Sequence, residues 1–586
     1  MSNSKVSGVR GCFLKLVLLA CATVGAASAQ DSPTDIFRQG SDAFHRGDYK
    51  AAHADFARLV KLAPRVAAAH AAFGAVLLAE NDPAAAAREL TEAHRLDPND
   101  HVSTLNLAVT YTRLADFPRA VALFHALPAE GLGNLQPSEL LAYATALNNT
   151  GDHAGAEALL REALNHRQPT PELLDALGSI QAQTKQYEGA RSSFEAAIRL
   201  DGNDAAAHAH LGSVLLLANN PTEAVKELRR ALALGGPNPI TELELGRALG
   251  ASGDDAGAIA TLRSALAAQP SSPDAQYALA LALQAGGQSQ DALPLFREVA
   301  AARPHDAAAL TNYGLALVQT GDAKSALVQY ARAAALEPDN VTLHEDTGVA
   351  FLQTNDLDHA IAQFQDGLRL DPRNPQLHYD LGLAFKLKDD LPHSIEELER
   401  AEALDPNLPD APYTLGVLRM QQGDTTAAVA QLERAIALKP DNGEAWALLG
   451  NVQKDAGELP AAAEALRHAI TLQPNQPSPH ITLAAVLAAL GDRAGAAAQR
   501  KQAADLSREA MNQQRASFAL QSGRALLTKG DLAGAILQLN EALTAQPDLK
   551  EAHLLLGDAL SRQGRAADAL SERQKAEHLS GRSQSP

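Results

Sequence analysis

Residues 311–340 read TNYGLALVQTGDAKSALVQYARAAALEPDN, and their pattern recurs along the chain. A segment of the same pattern, YTLGVLRMQQGDTTAAVAQLERAIALKPDN, occupies residues 413–442 and superposes on it without gaps. A third, AHLGSVLLLANNPTEAVKELRRALAL, lies at residues 209–234. The starts of the three segments differ by whole multiples of 34 residues. Self-similarity at a fixed period of this length indicates a repeat architecture.

The same pattern covers almost all of the chain after residue 32. Repeats start at residues 33, 67 and 101, then at 137, then every 34 residues to 477, and finally at 516 and 550. That gives sixteen repeats, numbered 1–16 below, with positions counted from 1 to 34. Two residues are inserted just after Asn134, and five are inserted around Met511 to Arg515.

Each repeat predicts two helices. Position 8 is Gly or Ala throughout, as in Gly314, and position 20 is Ala except at Ser394. Apolar residues at positions 7, 11, 24 and 28 recur at helical spacing. Position 15 is mostly Gly, Asn or Asp, residues that tolerate the left-handed conformation ending a helix. Pro at position 32, as in Pro338, stops the second helix. Aromatic residues make up only 4% of the chain, and Ala and Leu favour helix over strand.

These features resemble the tetratricopeptide repeat (TPR) family. In repeat 9 the family pattern is carried by Tyr313-Gly314, Leu317, Ala326, Tyr330 and Pro338. The resemblance implies an all-α fold, a right-handed superhelical solenoid of about sixteen 34-residue helix-turn-helix units. A helix pair cannot bury its own apolar stripe, so it must stack on its neighbours.

The repeats predict the following domain organisation. Residues 33–134 hold repeats 1–3, and residues 137–510 hold repeats 4–14, continuous with the first three and ending in a cap-like helix near 495–510. Residues 511–515 form a connector, residues 516–583 hold repeats 15–16, and residues 584–586 are a disordered tail. The cap is expected because Arg500 and Arg573 replace the apolar residue at position 24, and burying an unpaired Arg is costly. Alternatively, one long helix joins the two arrays.

The first 29 residues predict a signal peptide. Lys5, Arg10 and Lys15 precede an apolar stretch from residue 16 to residue 24, and Ala-Ser-Ala follows at residues 27–29. A second reading is a lipoprotein signal acylated at Cys21, and a third is a short amphipathic helix. Export to the periplasm or the cell exterior is therefore expected, with membrane attachment only if Cys21 is lipidated.

The residue inventory argues against catalysis. The formal net charge is -19, and no basic block is present, so nucleic acid is not an expected partner. No nucleotide-binding, serine-hydrolase or zinc-protease motif occurs. His recurs at position 4 in six repeats, in the slot that Trp446 fills in repeat 13, which indicates packing and not metal binding. No catalytic residue, metal or cofactor is expected.

A binding groove is the remaining candidate site. In the TPR family the first helix of each repeat lines the concave face, with positions 2, 5, 9 and 12 pointing into it. In repeats 8–12 these positions form an apolar, aromatic-dotted stripe flanked by polar residues, among them Asp346 and Asp380. Its members are Tyr277, Leu281, Leu315, Val318, Val349, Leu352, Tyr379, Leu383, Tyr413, Val417 and Met420. One interpretation is simple helix packing. The other is a groove for an extended or helical peptide, whose side chains are expected to lie outside the inter-repeat core.

The sequence therefore predicts an exported, non-catalytic scaffold that binds a protein or peptide in its concave groove. An alternative is an accessory subunit of an envelope enzyme or of a secretion, polysaccharide or pilus assembly complex. The sequence does not name the partner.

The cleavage prediction can be tested directly. Cleavage after Ala29 should give a mature chain whose N-terminal sequencing begins at Gln30, because small residues at positions 27 and 29 fit the signal peptidase. Mass spectrometry of the protein from its native host would contradict this if it found residues 1–29 retained. A diacylglycerol adduct on Cys21 would select the lipoprotein reading instead.

Overall fold

The computed structural model describes residues 32–128 and 134–582. Within these ranges the chain forms thirty-one α-helices and no strand. The predicted signal peptide at 1–29 and the predicted tail at 584–586 lie outside the described residues. In the described part, no helix is both long enough and apolar enough to cross a lipid bilayer.

The chain divides into two compact units, Met1–Pro304 and His305–Pro586. The N-terminal unit contains α1 (Pro33–His45), α2 (Tyr49–Leu62), α3 (Ala67–Ala79), α4 (Pro83–Leu96), α5 (His101–Arg113), α6 (Phe117–His125), α7 (Pro137–Asn149), α8 (His153–His166), α9 (Pro171–Gln183), α10 (Tyr187–Leu200), α11 (Ala205–Leu217), α12 (Pro221–Gly235), α13 (Pro239–Ala251), α14 (Asp255–Ala268), α15 (Pro273–Ala285) and α16 (Ser289–Ala302).

The C-terminal unit contains α17 (Ala307–Gln319), α18 (Ala323–Leu336), α19 (Val341–Gln353), α20 (Leu357–Leu370), α21 (Pro375–Leu387), α22 (Leu391–Leu404), α23 (Asp410–Gln421), α24 (Thr425–Leu438), α25 (Gly443–Asp455), α26 (Leu459–Leu472), α27 (Pro477–Ala489), α28 (Arg493–Thr528), α29 (Leu532–Ala545), α30 (Lys550–Arg562) and α31 (Ala566–Arg582).

Within each unit, every repeat is a pair of helices that packs on the next pair. We call the first helix of a repeat its A helix and the second its B helix. Each A helix contacts its own B helix most extensively, and that B helix then contacts the A helix of the following repeat. This stacking confirms the predicted fold class, an all-α solenoid of helix-turn-helix repeats.

The two helices of a repeat touch where position 8 meets position 24. A Cβ built on Gly314 would lie 2.4 Å from Cε1 of Tyr330, and one built on Gly348 would lie 2.4 Å from Cε1 of Phe364. Both rings are completely or almost completely buried. A small residue at position 8 is therefore what lets a large side chain at position 24 fill the space between the helices.

The turn between A and B helices has one conformation in all sixteen repeats. Position 15 has a positive φ, between 59° and 89°, whether it is one of ten Gly or one of six other residues. The predicted Gly, Asn and Asp pattern is explained by this left-handed residue. Ala115 and Lys185 adopt it as well, at φ 59° and 60°, although side chains with a Cβ are strained there.

The six position-4 histidines have a packing role. In repeat 11, His378 Nδ1 lies 2.6 Å from Glu397 Oε2, and its Nε2 lies 3.2 Å from the Pro372 carbonyl oxygen. The ring thus links the B helix of its own repeat to the turn that precedes the A helix of that repeat. His70, His208, His344, His480 and His553 pair in the same way with the side chain nineteen residues later. Trp446 in the same slot donates Nε1–H to the Pro440 carbonyl at 2.9 Å.

A single helix of 36 residues, α28, joins repeats 14 and 15 and runs through the predicted connector at 511–515. It provides the B helix of repeat 14 and then the A helix of repeat 15, as in the one-helix alternative. Nearly every side chain from residue 504 to residue 515 is exposed, so this segment is solvated on all sides. Arg500 and Arg573 are also exposed, which fits their placement at position 24 of helices that act as caps.

The conformation of position 15 gives a stability prediction. Lys185→Gly in repeat 5 should raise the free energy of unfolding by about 0.5–1 kcal/mol, because Gly relieves the left-handed strain at a partial entropic cost in the unfolded chain. Urea titration followed by circular dichroism measures this change.

The reverse substitution in the preceding repeat is the matched control. Gly151 has φ 88° and nothing within 4 Å of a built Cβ, so Gly151→Lys tests the backbone alone. It should lower the free energy of unfolding by a similar amount. Equal stability of the two variants would contradict the assignment of strain to this turn.

Candidate partner-binding groove

The predicted stripe belongs to both compact units, and each part is described by itself. In the N-terminal unit, Leu281 is 38% exposed, and Tyr277 is half-buried with its ring edge-on to Phe296 at 6.1 Å between centroids. The other predicted residues lie in the C-terminal unit, on the A helices α17, α19, α21 and α23. We call the surface formed there by positions 2, 5, 6, 9 and 12 the A-helix face. Helix α19 contacts both α17 and α21 directly, so positions on these three helices form continuous rows.

Most of the aliphatic residues predicted for the stripe are half-buried on the A-helix face. They are Leu315, Val349, Leu352, Leu383, Val417 and Met420. Val318 is the exception, because it is only 9% exposed. A helix turns by about 100° per residue, so position 12 lies next to the core-facing position 11 around the helix axis. In α17 both residues, Leu317 and Val318, are buried. The prediction that Val318 points into a groove is wrong.

The two tyrosines at position 5 are half-buried and also pack on the core. Tyr379 contacts the buried cluster that contains Leu398 and Leu415. Tyr413 contacts the next cluster, which contains Leu432. The expectation that groove side chains leave the inter-repeat core untouched is therefore wrong for these two residues. Each tyrosine has one surface on the core and one on the A-helix face.

Three carboxylates lie on the same face, and two of them, Asp346 and Asp380, were expected only as polar residues flanking the stripe. They are Glu345 and Asp346 of α19 together with Asp380 of α21, and we call them the acidic cluster. Asp380 is only 8% exposed, and its Oδ1 accepts one hydrogen bond, of 3.2 Å, from Gln376 Nε2. Among the residues that the structure describes, no Lys, Arg or His forms an ion pair with any of the three carboxylates.

Burial and mutual repulsion shift the pKa values of this cluster upward. Burial, followed by the charge of Glu345, raises the pKa of Asp380 to about 7. The same two causes, in the same order, raise the pKa of Asp346 to about 6. Burial also raises the pKa of Glu345 itself. The charged forms are disfavoured because all three carboxylates lose water, and because Asp346 and Asp380 also face the charge of Glu345.

A buried hydroxyl feels the charge of the acidic cluster. Tyr330, in the B helix of repeat 9, is 1% exposed, and its Oη has no hydrogen-bond partner in the described structure. Burial and then the nearby charge of Asp346 raise the pKa of this phenol. Buried polar atoms are nearly always hydrogen-bonded, so an unsatisfied buried hydroxyl is unusual.

The comparisons with known proteins agree with this architecture. The Tetratricopeptide repeat family profile matches residues 37–101, 176–239, 243–287, 277–341, 413–477 and 520–580. Two further TPR profiles match residues 348–389 and 77–142. The chain belongs to the TPR family. A search of the curated proteins gives no match.

Several solved structures are similar to parts or most of this TPR chain. MamA is 28% identical, over 27% of this chain and 94% of that chain, with a TM-score of 0.27. The APC/C hetero-tetramer Cut9–Hcn1 is 16% identical, over 91% of this chain and 97% of that chain, with a TM-score of 0.32. YrrB, described as a TPR protein with an unusual peptide-binding site, is 22% identical, over 31% of this chain and 95% of that chain, with a TM-score of 0.27.

The acidic cluster gives a prediction about pH and stability. Asp380 has a folded-state pKa of about 7, above the unfolded value of about 3.9, so the native protein holds this proton over that interval. Its contribution to the free energy of unfolding should therefore fall as pH rises between about 4 and about 7. Asp380→Asn should raise the Tm at about pH 8, and the gain should shrink toward about pH 4.

Asp322 provides a control, because its pKa is shifted in the opposite direction to that of Asp380. It caps α18, and hydrogen bonds from Ser325 lower the pKa of its carboxyl. Asp322→Asn should give no stabilisation at about pH 8. A thermal unfolding series by circular dichroism would contradict the argument if both variants behaved alike across the pH range.

Proposed function

We propose that this TPR protein is an exported scaffold that binds a peptide or partner helix along the A-helix face of repeats 9–12. TPR repeats support a role in protein–protein interaction, and the TPR fold is typically a non-catalytic scaffold. In the described residues, no group of three or more His, Cys, Asp or Glu side chains is arranged to hold a metal ion.

The proposal depends on the equivalent positions of Tyr379 and Tyr413 in repeats 11 and 12. The two tyrosines occupy the same position on successive A helices, with Leu383 and Val417 one helical turn further along. Residues four apart are neighbours on a helix surface, so each tyrosine forms one patch with its aliphatic partner. Both patches are half-buried, and tyrosine is enriched among the residues that dominate binding energy.

Export is supported by the pattern of the first 29 residues. A basic start, a short apolar stretch and a small-residue cleavage site are typical of a secretory signal. The N-terminal analysis described above tests it. The compartment fixes which proteins the groove can meet, so it limits the partner to exported or envelope chains.

The groove can be tested without a known partner. The full chain serves as bait for random twelve-residue peptides displayed on phage, and the enriched peptides are then synthesised for affinity measurement. Tyr379→Ala combined with Tyr413→Ala should weaken their binding by about 2 kcal/mol or more, roughly thirty-fold in Kd, because two large anchors are removed.

Leu398→Ala is the matched control for stability. Leu398 is fully buried against Gly382, and its truncation should cost about 2–5 kcal/mol of stability by leaving a cavity. The tyrosine variant also loses packing, so affinities are compared at a temperature where both variants keep their native circular dichroism. Leu398→Ala should bind the peptides normally. Unchanged affinity in the tyrosine variant, or equal weakening in both, would contradict the proposal.

A further inference from the structure

The acidic cluster lacks a positively charged partner among the described residues. We propose that it receives a Lys or Arg side chain of the bound peptide, so that Glu345, Asp346 and Asp380 select partners with a basic residue. This inference rests on the proposed function, because the cation is delivered by a peptide on the A-helix face. The acidic cluster indicates that the partner carries a positive charge, whereas the tyrosine patches indicate only an apolar contact.

The other buried carboxylates of the C-terminal unit show what is missing. Glu397 and Glu402 are, like Asp380, 8% exposed. Glu397 faces His378 at 2.6 Å and Arg400 at 2.7 Å, and Glu402 faces Arg434 at 2.9 Å. Asp380 has only the amide of Gln376 and the like charge of Glu345. Buried charges are normally paired, so Asp380 lacks a counter-ion that its neighbours in the fold possess.

The Tyr330 hydroxyl is an independent sign that a donor belongs here. Its ring is fixed against Gly314 in repeat 9, and its buried Oη feels the charge of Asp346 but has no hydrogen-bond partner among the described residues. A phenol oxygen accepts hydrogen bonds, as carboxylate oxygens do. An ammonium or guanidinium group placed among these oxygens would satisfy the hydroxyl and neutralise the carboxylates together. A guanidinium offers five donors and an ammonium three, whereas water brings no charge.

The aromatic surface near the acidic cluster also favours a peptide side chain as the source of the positive charge. Tyr379 directly precedes Asp380 on α21, so the tyrosine patch begins one residue away from the cluster. The cluster therefore adjoins the Tyr379 patch, and a peptide that covers Tyr379 can place a side chain at Asp380. A positive charge near aromatic rings is favourable as well.

The net charge of the chain agrees with a basic partner. With 69 acidic and 50 basic side chains, the formal charge is -19. A partner carrying Lys or Arg would be attracted at long range and would associate faster at low ionic strength. An acidic partner would be repelled. The cluster then turns this general attraction into a requirement for a basic residue at one position of the peptide.

The test uses the phage-displayed random peptides selected on the full chain. Peptides enriched on the wild type should share a Lys or Arg at one fixed position. Replacing that residue by norleucine, which keeps the aliphatic stem without the charge, should raise Kd at least about tenfold. The Asp346→Asn, Asp380→Asn double variant should lose affinity for the basic peptide by a similar factor.

A double-mutant cycle separates a direct contact from a change in folding. The double variant should bind the norleucine peptide as the wild type does, because the charge pair is absent from both. Both substitutions are near-isosteric and remove repulsion, so the variant should fold with an equal or higher Tm. Asp371→Asn, at the end of α20, is the control for removing a carboxylate elsewhere in the same unit and should change neither affinity.

The outcomes distinguish this inference from the proposed function. Enriched peptides without a basic residue, whose binding still depends on Tyr379 and Tyr413, would overturn the inference and leave the groove in place. Failure of the wild type to enrich any peptide over the double tyrosine variant would overturn both. A rise in Tm caused by Ca²⁺ or Mg²⁺ in the wild type but not in the Asp346→Asn, Asp380→Asn variant would assign the cluster to a metal ion and would also overturn the inference.

Discussion

The contact between position 8 and position 24 is the constraint on which each repeat depends. At Gly314 and Gly348 no side chain larger than hydrogen fits without moving the ring of Tyr330 or Phe364. The two helices of a repeat therefore lie at one distance, and the small residue at position 20 allows the same approach from the other side. Ser394 keeps this arrangement by donating its hydroxyl hydrogen to the Gly382 carbonyl at 2.7 Å. Because the constraint recurs every 34 residues, equivalent positions on successive A helices form rows.

Rows turn a one-dimensional sequence pattern into a two-dimensional surface. Tyr379 and Tyr413 occupy equivalent places on successive A helices because they are both at position 5, and so do Asp346 and Asp380 because they are both at position 6. The first row gives aromatic anchors, while both aspartates of the second row are buried and face the like charge of Glu345, at a cost to stability. Sites that are poorly satisfied in the free protein are often those that a ligand completes. On this reasoning the instability of the acidic cluster and its capacity to bind a cation have the same physical origin.

Local sequence rules predicted the fold well and the surface only in part. Position 15 was predictable as a left-handed turn residue, and even Lys185 conforms because the helix pair on either side imposes the turn. The burial of Val318 was not predictable from its polarity, since it depends on how far α17 is rotated about its axis. Tyr379 and Tyr413 were placed on the correct helices, but their packing on the clusters of Leu398 and Leu432 is a tertiary contact, which the sequence does not give.

The acidic residues at positions 5 and 6 of repeats 10 and 11 were visible in the sequence. The three-dimensional structure was needed to show that no described Lys, Arg or His forms an ion pair with them. It was also needed to show that the Tyr330 hydroxyl of the preceding repeat has no hydrogen-bond partner among the described residues.

The central claim is that the acidic cluster is completed by a basic side chain of a peptide lying on the A-helix face. A crystal structure of the full chain bound to a peptide selected on it tests this most directly. The account predicts a Lys or Arg nitrogen within hydrogen-bond distance of the carboxylates of Asp346 and Asp380 and of Tyr330 Oη, with the peptide backbone passing over Tyr379 and Tyr413. A peptide bound elsewhere, or one that crosses the A-helix face and leaves Asp380 without a cation, would contradict it.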